Sequence, residues 1–177
     1  MKHGFIAFAV LASSVGVSAV HASAGSINYS GEVQQATCDV AVNNHNVFGN
    51  NVTLPKASSS SLSKVGETTG TTPISITLLR CNRGAMPVVF FEAGSGVDAL
   101  TQNVLNASGT ATGVQLQLLD TANVPIRVGD MSQLAARGVG TVGSGNVTSQ
   151  YSVRYIATGV STVGTVRGSV TFSLKYE

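Results

Sequence analysis

Val166-Arg167-Gly168-Ser169-Val170-Thr171-Phe172-Ser173-Leu174-Lys175-Tyr176 stands at the C-terminal end of the chain, followed only by Glu177. Every second residue from Val166 is apolar or glycine, and the residues between are polar or charged. A two-residue period places one set on each face of a β-strand, so this stretch is expected to be a strand with one buried face. The period returns at Ile74, Ile76 and Leu78, at Val114, Leu116 and Leu118, and at Tyr151, Val153, Tyr155 and Ala157. Near the other end, Ile27, Tyr29, Gly31 and Val33 alternate with the polar set from Ser26 to Gln34. Val88 to Phe91 is continuously apolar, which suits a central strand covered on both faces.

Clusters of Gly, Asn, Ser and Thr separate these runs, at 43–51, 58–63, 66–72, 94–96, 106–113 and 138–146. Short strands divided by such turn-formers describe an all-β sandwich or barrel. Helix is limited to single turns expected at Leu62–Val65 and Met131–Arg137, and the serine tract at Ser58–Ser61 is read as a surface loop.

Composition removes several function classes. The 177 residues are 43% hydrophobic and 10% charged, with a formal net charge of +2. Globular chains average about 25% charged residues. Disordered polyelectrolytes combine low hydrophobicity with high net charge, which this chain lacks. Phosphate backbones require clustered Lys and Arg, and the ten basic residues are scattered.

Lys2 and His3 precede an uncharged stretch, Gly4 to Val20, and the small-residue patterns Val20-His21-Ala22 and Ala22-Ser23-Ala24. This is the layout of a secretory signal peptide, expected at 1–22 with cleavage after 22 or 24. Two cysteines remain, Cys38 and Cys81. In an oxidising compartment an even pair is most simply one disulfide. It would close a loop of about 44 residues, worth roughly 4 kcal/mol in the chain-entropy model. No CxxC is present, and His45 is the sole histidine outside the leader, so neither a redox motif nor a tetrahedral zinc site is expected. No metal or other cofactor is implied.

Catalytic constellations are equally thin. A nucleophilic triad needs a base beside its nucleophile, and His45 lies in the turn-like Asn43-Asn44-His45-Asn46. Carboxylates for glycoside hydrolysis would have to come from Glu32, Asp39, Glu67, Glu92, Asp98, Asp120, Asp130 and Glu177, which stand singly beside strands or turns. Gly138-Val139-Gly140-Thr141-Val142-Gly143 matches GxGxxG by letters but has no helix after it to receive phosphate. The sequons at Asn28, Asn51, Asn106 and Asn146 fit an Asn/Ser/Thr-rich composition. The chain is therefore not read as an enzyme.

The two ends carry the functional signal. Gly25 to Thr37, ahead of the first cysteine, can extend about 43 Å at roughly 3.3 Å per residue, enough to reach a neighbouring molecule. Gly31-Glu32-Val33 leading to Cys38, Tyr155-Ile156-Ala157-Thr158-Gly159, Gly164 as the fourteenth residue from the end, and Val170 to Glu177 with penultimate Tyr176 resemble the major-subunit pilins of bacterial chaperone-usher (type 1-like) fimbriae. The resemblance covers the whole chain after the leader; Ser58–Ser61 and Arg80 depart from it mildly.

The resemblance implies an incomplete immunoglobulin-like β-sandwich lacking its last strand, with an N-terminal extension at 23–37 and a pilin domain at 38–177. It implies donor-strand exchange. Ile27, Tyr29, Gly31 and Val33 would form the donor strand; Gly164, Val170, Phe172, Leu174 and Tyr176 would form the acceptor groove and the chaperone contact. Implied partners are other pilin subunits, a periplasmic chaperone and an outer-membrane usher, with no nucleic acid and no membrane span; the implied destination is a fimbrium on the bacterial surface. Two alternatives stay open: a minor or tip subunit that binds a glycan, and a self-complemented monomeric secreted domain.

Overall fold

The computed structural model describes residues 38–43, 45–46, 51–81, 87–134 and 146–176. Seven strands are present among them: β1 (Asp39–Val42), β2 (His45–Asn46), β3 (Thr68–Leu79), β4 (Val88–Phe91), β5 (Val114–Leu119), β6 (Val147–Ala157) and β7 (Phe172–Lys175). The expected strand at 26–34 and the leader lie outside the described residues, as does the glycine run at 138–143.

All described pairings are antiparallel. One sheet has the order β2-β1-β3-β6-β5, and β4 and β7 form a second, two-stranded sheet. In the large sheet Leu78 lies opposite Val147, Ile74 opposite Tyr151, and Leu118 opposite Val153. The alternating residues of β3, β5 and β6 thus share one face, which the second sheet covers. The Phe91 ring of β4 meets Tyr151 of β6 edge-on, at 5.2 Å between centroids and 89° between planes. That contact joins the two layers in a geometry aromatic pairs favour. Ile76, Leu78, Leu119 and Val128 are the largest side chains almost wholly removed from water. Burial holds the Tyr151 phenol above its usual range, and the charge of Asp120 adds to the effect.

Several boundaries differ from the sequence reading. The stretch 66–72, expected as a turn, contributes the start of β3. Its threonines suit a strand, and Gly70, at φ +70°, accommodates a register shift between Thr69 and Thr72. The Tyr155 ring lies over Gly70, and a Cβ there would come within 2.9 Å of it. Pro73 is tolerated in the same strand because β1 pairs only with Ile76–Leu79, leaving Pro73 with β6 on one side alone. The serine tract is not irregular loop: Ser59–Leu62 makes one 3-10 turn, capped by the Ser58 side chain accepting the Ser60 N–H. The turn expected at Leu62–Val65 is thereby displaced toward the N-terminus, and that at Met131–Arg137 is a 3-10 turn at Met131–Leu134. β4 is buried on both faces as expected, yet it belongs to the two-stranded sheet rather than to a sheet centre.

The largest difference concerns the C-terminal stretch. Only Phe172–Lys175 forms a ladder; residues 162–171 run antiparallel to 105–112, held largely by side chains. Thr165 donates its N–H to Thr110 Oγ1 and Thr110 donates its own to Thr165 Oγ1. Thr112 N–H reaches Thr162 Oγ1. Asn106 takes the Arg167 N–H on Oδ1 at 2.7 Å and donates from Nδ2 to the carbonyls of Ala111 and Thr165. Thr and Asn side chains compete with backbone pairing in this way, which is why an alternating sequence does not here become a regular strand. Asn106→Ala is expected to lose about 0.5–1.5 kcal/mol, since it removes a part-buried bond to the Ala111 carbonyl and exposed ones to Arg167 and Thr165. Urea unfolding would measure this, with Asn106→Asp intermediate because it keeps the acceptor.

Candidate functional site

Among the described residues, the β4–β7 sheet has an edge on β7 that no strand pairs. Glu92 N–H bonds to Thr171 C=O at 2.9 Å, and Phe91 lies opposite Phe172 and Val89 opposite Leu174. Antiparallel pairs alternate between bonded and non-bonded. Thr171, Ser173 and Lys175 therefore turn their backbone groups toward β4, while Phe172 and Leu174 turn theirs to the opposite edge. Among the described residues no strand or hydrogen bond meets the Phe172 and Leu174 groups on that edge.

The same residues send their side chains to the core. Val166, Val170, Phe172 and Leu174 pack on the main cluster but remain only partly buried, and Phe172 lies 6.3 Å from the Phe91 ring. An unpaired edge beside half-covered apolar side chains is a template for another strand. On the far face Lys175 Nζ sits 5.2 Å from the centre of the Phe90 ring, closing that side with a cation–π contact.

Of the residues anticipated for the groove, Val170, Phe172 and Leu174 are brought together here. Tyr176 follows β7 and is 44% exposed. Gly164 lies apart, against the 110–111 backbone. A Cβ on it would stand 2.5 Å from Ala111 N and 2.7 Å from Thr110 Oγ1, so glycine is required there by close approach of two chain segments. Ile27, Tyr29, Gly31 and Val33 lie outside the described residues. Cys38 and Cys81 form a disulfide, flanked by an Arg80–Asp39 ion pair.

Several carboxylates considered for catalysis serve turns instead. Glu67 accepts the N–H groups of Ser63 and Lys64; the Lys64 bond leads in holding its pKa below the usual range. Asp98 accepts from Thr101 and Leu100, whose bonds lower its pKa in the same way. Asp120 accepts from Ala122 and Val124, and Asp130 from Ser132. The sequence reading missed two polar side chains that matter more. Asn106 is the clasp described above, visible in sequence only as a sequon. Gln133 is buried and bonded to Phe91, and no periodic pattern marks it.

The described residues thus form an all-β sandwich with one two-stranded layer, whose β7 edge is unpaired among them. The family model described as FimA, type-1 fimbrial protein, A, matches residues 54–177, and the chain belongs to this family. It is 38% identical over 169 residues to the F17 fimbrial protein of Escherichia coli, covering 90% of this chain and 91% of that one. It is 35% identical over 165 residues to the major fimbrial subunit SMF-1 of Stenotrophomonas maltophilia (strain K279a), covering 89% and 95%. The fold is also that of the P pilus rod subunit PapA, with a TM-score of 0.57 at 17% identity over 86% of this chain and 100% of that one. The architecture is thus the incomplete immunoglobulin-like sandwich of the pilins.

Proposed function

We propose that the chain is a structural, non-catalytic subunit of a surface fimbria, polymerising by donor-strand exchange. The observation that carries this reading is the outer edge of β7, where Phe172 and Leu174 combine partly buried side chains with backbone groups unmet among the described residues. A strand from the next subunit would pair with that edge and complete the burial. Full burial of an aliphatic or aromatic side chain is worth roughly 1.5–3 kcal/mol, so several half-covered ones supply a driving force without nucleotide or cofactor.

The donor in this reading is the segment 23–37, exported behind a signal peptide at 1–22, with Ile27, Tyr29 and Val33 entering the groove and Gly31 at its narrowest point. A subunit that donates at one end and accepts at the other makes a heterologous, non-closing contact and so a filament. Before assembly the same open edge is an aggregation hazard, which is the role for a periplasmic chaperone, with an outer-membrane usher as the exit. Both steps place the product on the cell surface, where it supports adhesion.

Deletion of Gly25 to Gln35 tests the proposal. The shortened chain is expected to bind its chaperone but to give no fibres by electron microscopy, and to be rescued as an acceptor by a peptide of residues 25–37. Fibres formed by the shortened chain would refute donor-strand exchange.

A further inference from the structure

A two-stranded sheet has two outward edges, and a strand could in principle add to either. In this molecule the edges are chemically unlike. On β4 the alternation turns the backbone N–H and C=O groups of Val89 and Phe91 away from β7, while their side chains stay buried. Gln133 Oε1 accepts the Phe91 N–H at 2.8 Å, and Gln133 Nε2 donates to the Phe91 carbonyl at 3.0 Å. These are the two bonds that a residue of a neighbouring strand would make to Phe91, supplied by one carboxamide. The same carbonyl also accepts the Gly129 N–H at 2.9 Å. Gln133 is held in place by a further bond from Nε2 to the Asp130 carbonyl and is only 7% exposed. On β7 no side chain among the described residues does this for Phe172 or Leu174.

We infer that Gln133 is a specificity-determining residue for strand addition: its carboxamide stands in for a strand partner on β4, so that an incoming strand pairs with β7 alone. The inference rests on the donor-strand reading for the identity of the incoming strand, whereas the blocking of β4 is a property of this chain's own contacts. With both edges open, one subunit could take two donors, and an unbranched fibre would become a branched one.

The test uses the exported chain and a labelled peptide of residues 25–37, in wild type, Gln133→Met and Gln133→Asn. Methionine fills similar volume without the two bonds, and asparagine is one methylene too short to make both. If the first fails to fold by circular dichroism, the second carries the test. Wild type is expected to bind one peptide by native mass spectrometry, with protection from hydrogen exchange appearing at Phe172 and Leu174. The variants are expected to bind a second, and their Phe91 amide to exchange at least tenfold faster before peptide is added. Variants that bind one peptide and retain wild-type exchange at Phe91 would overturn the inference. A wild-type chain that binds no peptide would overturn the donor-strand reading, while faster Phe91 exchange and peptide capture by the variants alone would still support the blocking role.

Discussion

Phe91→Ala is expected to remove about 3–5 kcal/mol of stability from the disulfide-intact chain. Phe91 is 4% exposed and touches rings on two other strands, Tyr151 in the facing sheet and Phe172 beside it. Truncation forfeits its burial and leaves a cavity between the layers that the short β4 cannot collapse to fill. The edge-on pair with Tyr151 should contribute about 0.5–1.5 kcal/mol of this. A double-mutant cycle with Tyr151→Leu, read from urea unfolding, measures that share. Against a typical total of roughly 5–15 kcal/mol, the single change should leave the isolated subunit marginal. A loss below about 1 kcal/mol would mean that the two sheets are joined elsewhere.

Removing the Cys38–Cys81 bridge ranks next. The paired Cys38→Ser, Cys81→Ser variant is expected to lose about 4 kcal/mol, because the disulfide joins residues 43 apart and its loss restores freedom to the unfolded chain. For a domain of this length that corresponds to a fall of roughly 8–16 °C in Tm. Calorimetry of the variant against the oxidised chain measures it. The bridge ties the start of β1 to the end of β3, and the Arg80–Asp39 pair beside it is exposed. Exposed pairs contribute little, so Asp39→Asn should leave Tm nearly unchanged, and a fall as large as that of the cysteine variant would contradict this division.

Much of the large sheet was legible in the sequence. Where one face is buried and the other wet, alternation at Ile76 and Leu78 or at Leu116 and Leu118 is a direct record of the fold. The start of β3 was hidden because Gly70 looks like a turn-former until Tyr155, some 85 residues later in the chain, is seen to cover it. β1 escaped notice because four residues carry too little periodicity. At the candidate site, Val170, Phe172 and Leu174 were legible as an apolar row, but the row's ladder length was not. A two-residue period describes where side chains point, and it is satisfied equally by backbone pairing and by the Thr and Asn contacts that replace it before β7. Gln133 could not have been found by pattern, since its role depends on one carboxamide meeting one distant peptide group.

The clasp before β7 has one more consequence. A ladder of backbone groups looks nearly the same after a slip of two residues, and an alternating strand slipped by two still shows the same face to the core. The contacts of residues 162–171 have no such repeat: Thr162 meets Thr112, Thr165 meets Thr110, and Arg167 meets Asn106. Partners at uneven intervals act as an index: a chain slipped by two could still set Thr162 against Thr110, but it would break the Arg167–Asn106 bond. The last strand therefore arrives at β4 already aligned, with Phe172 rather than Val170 or Leu174 opposite Phe91, before any neighbour is present to align it.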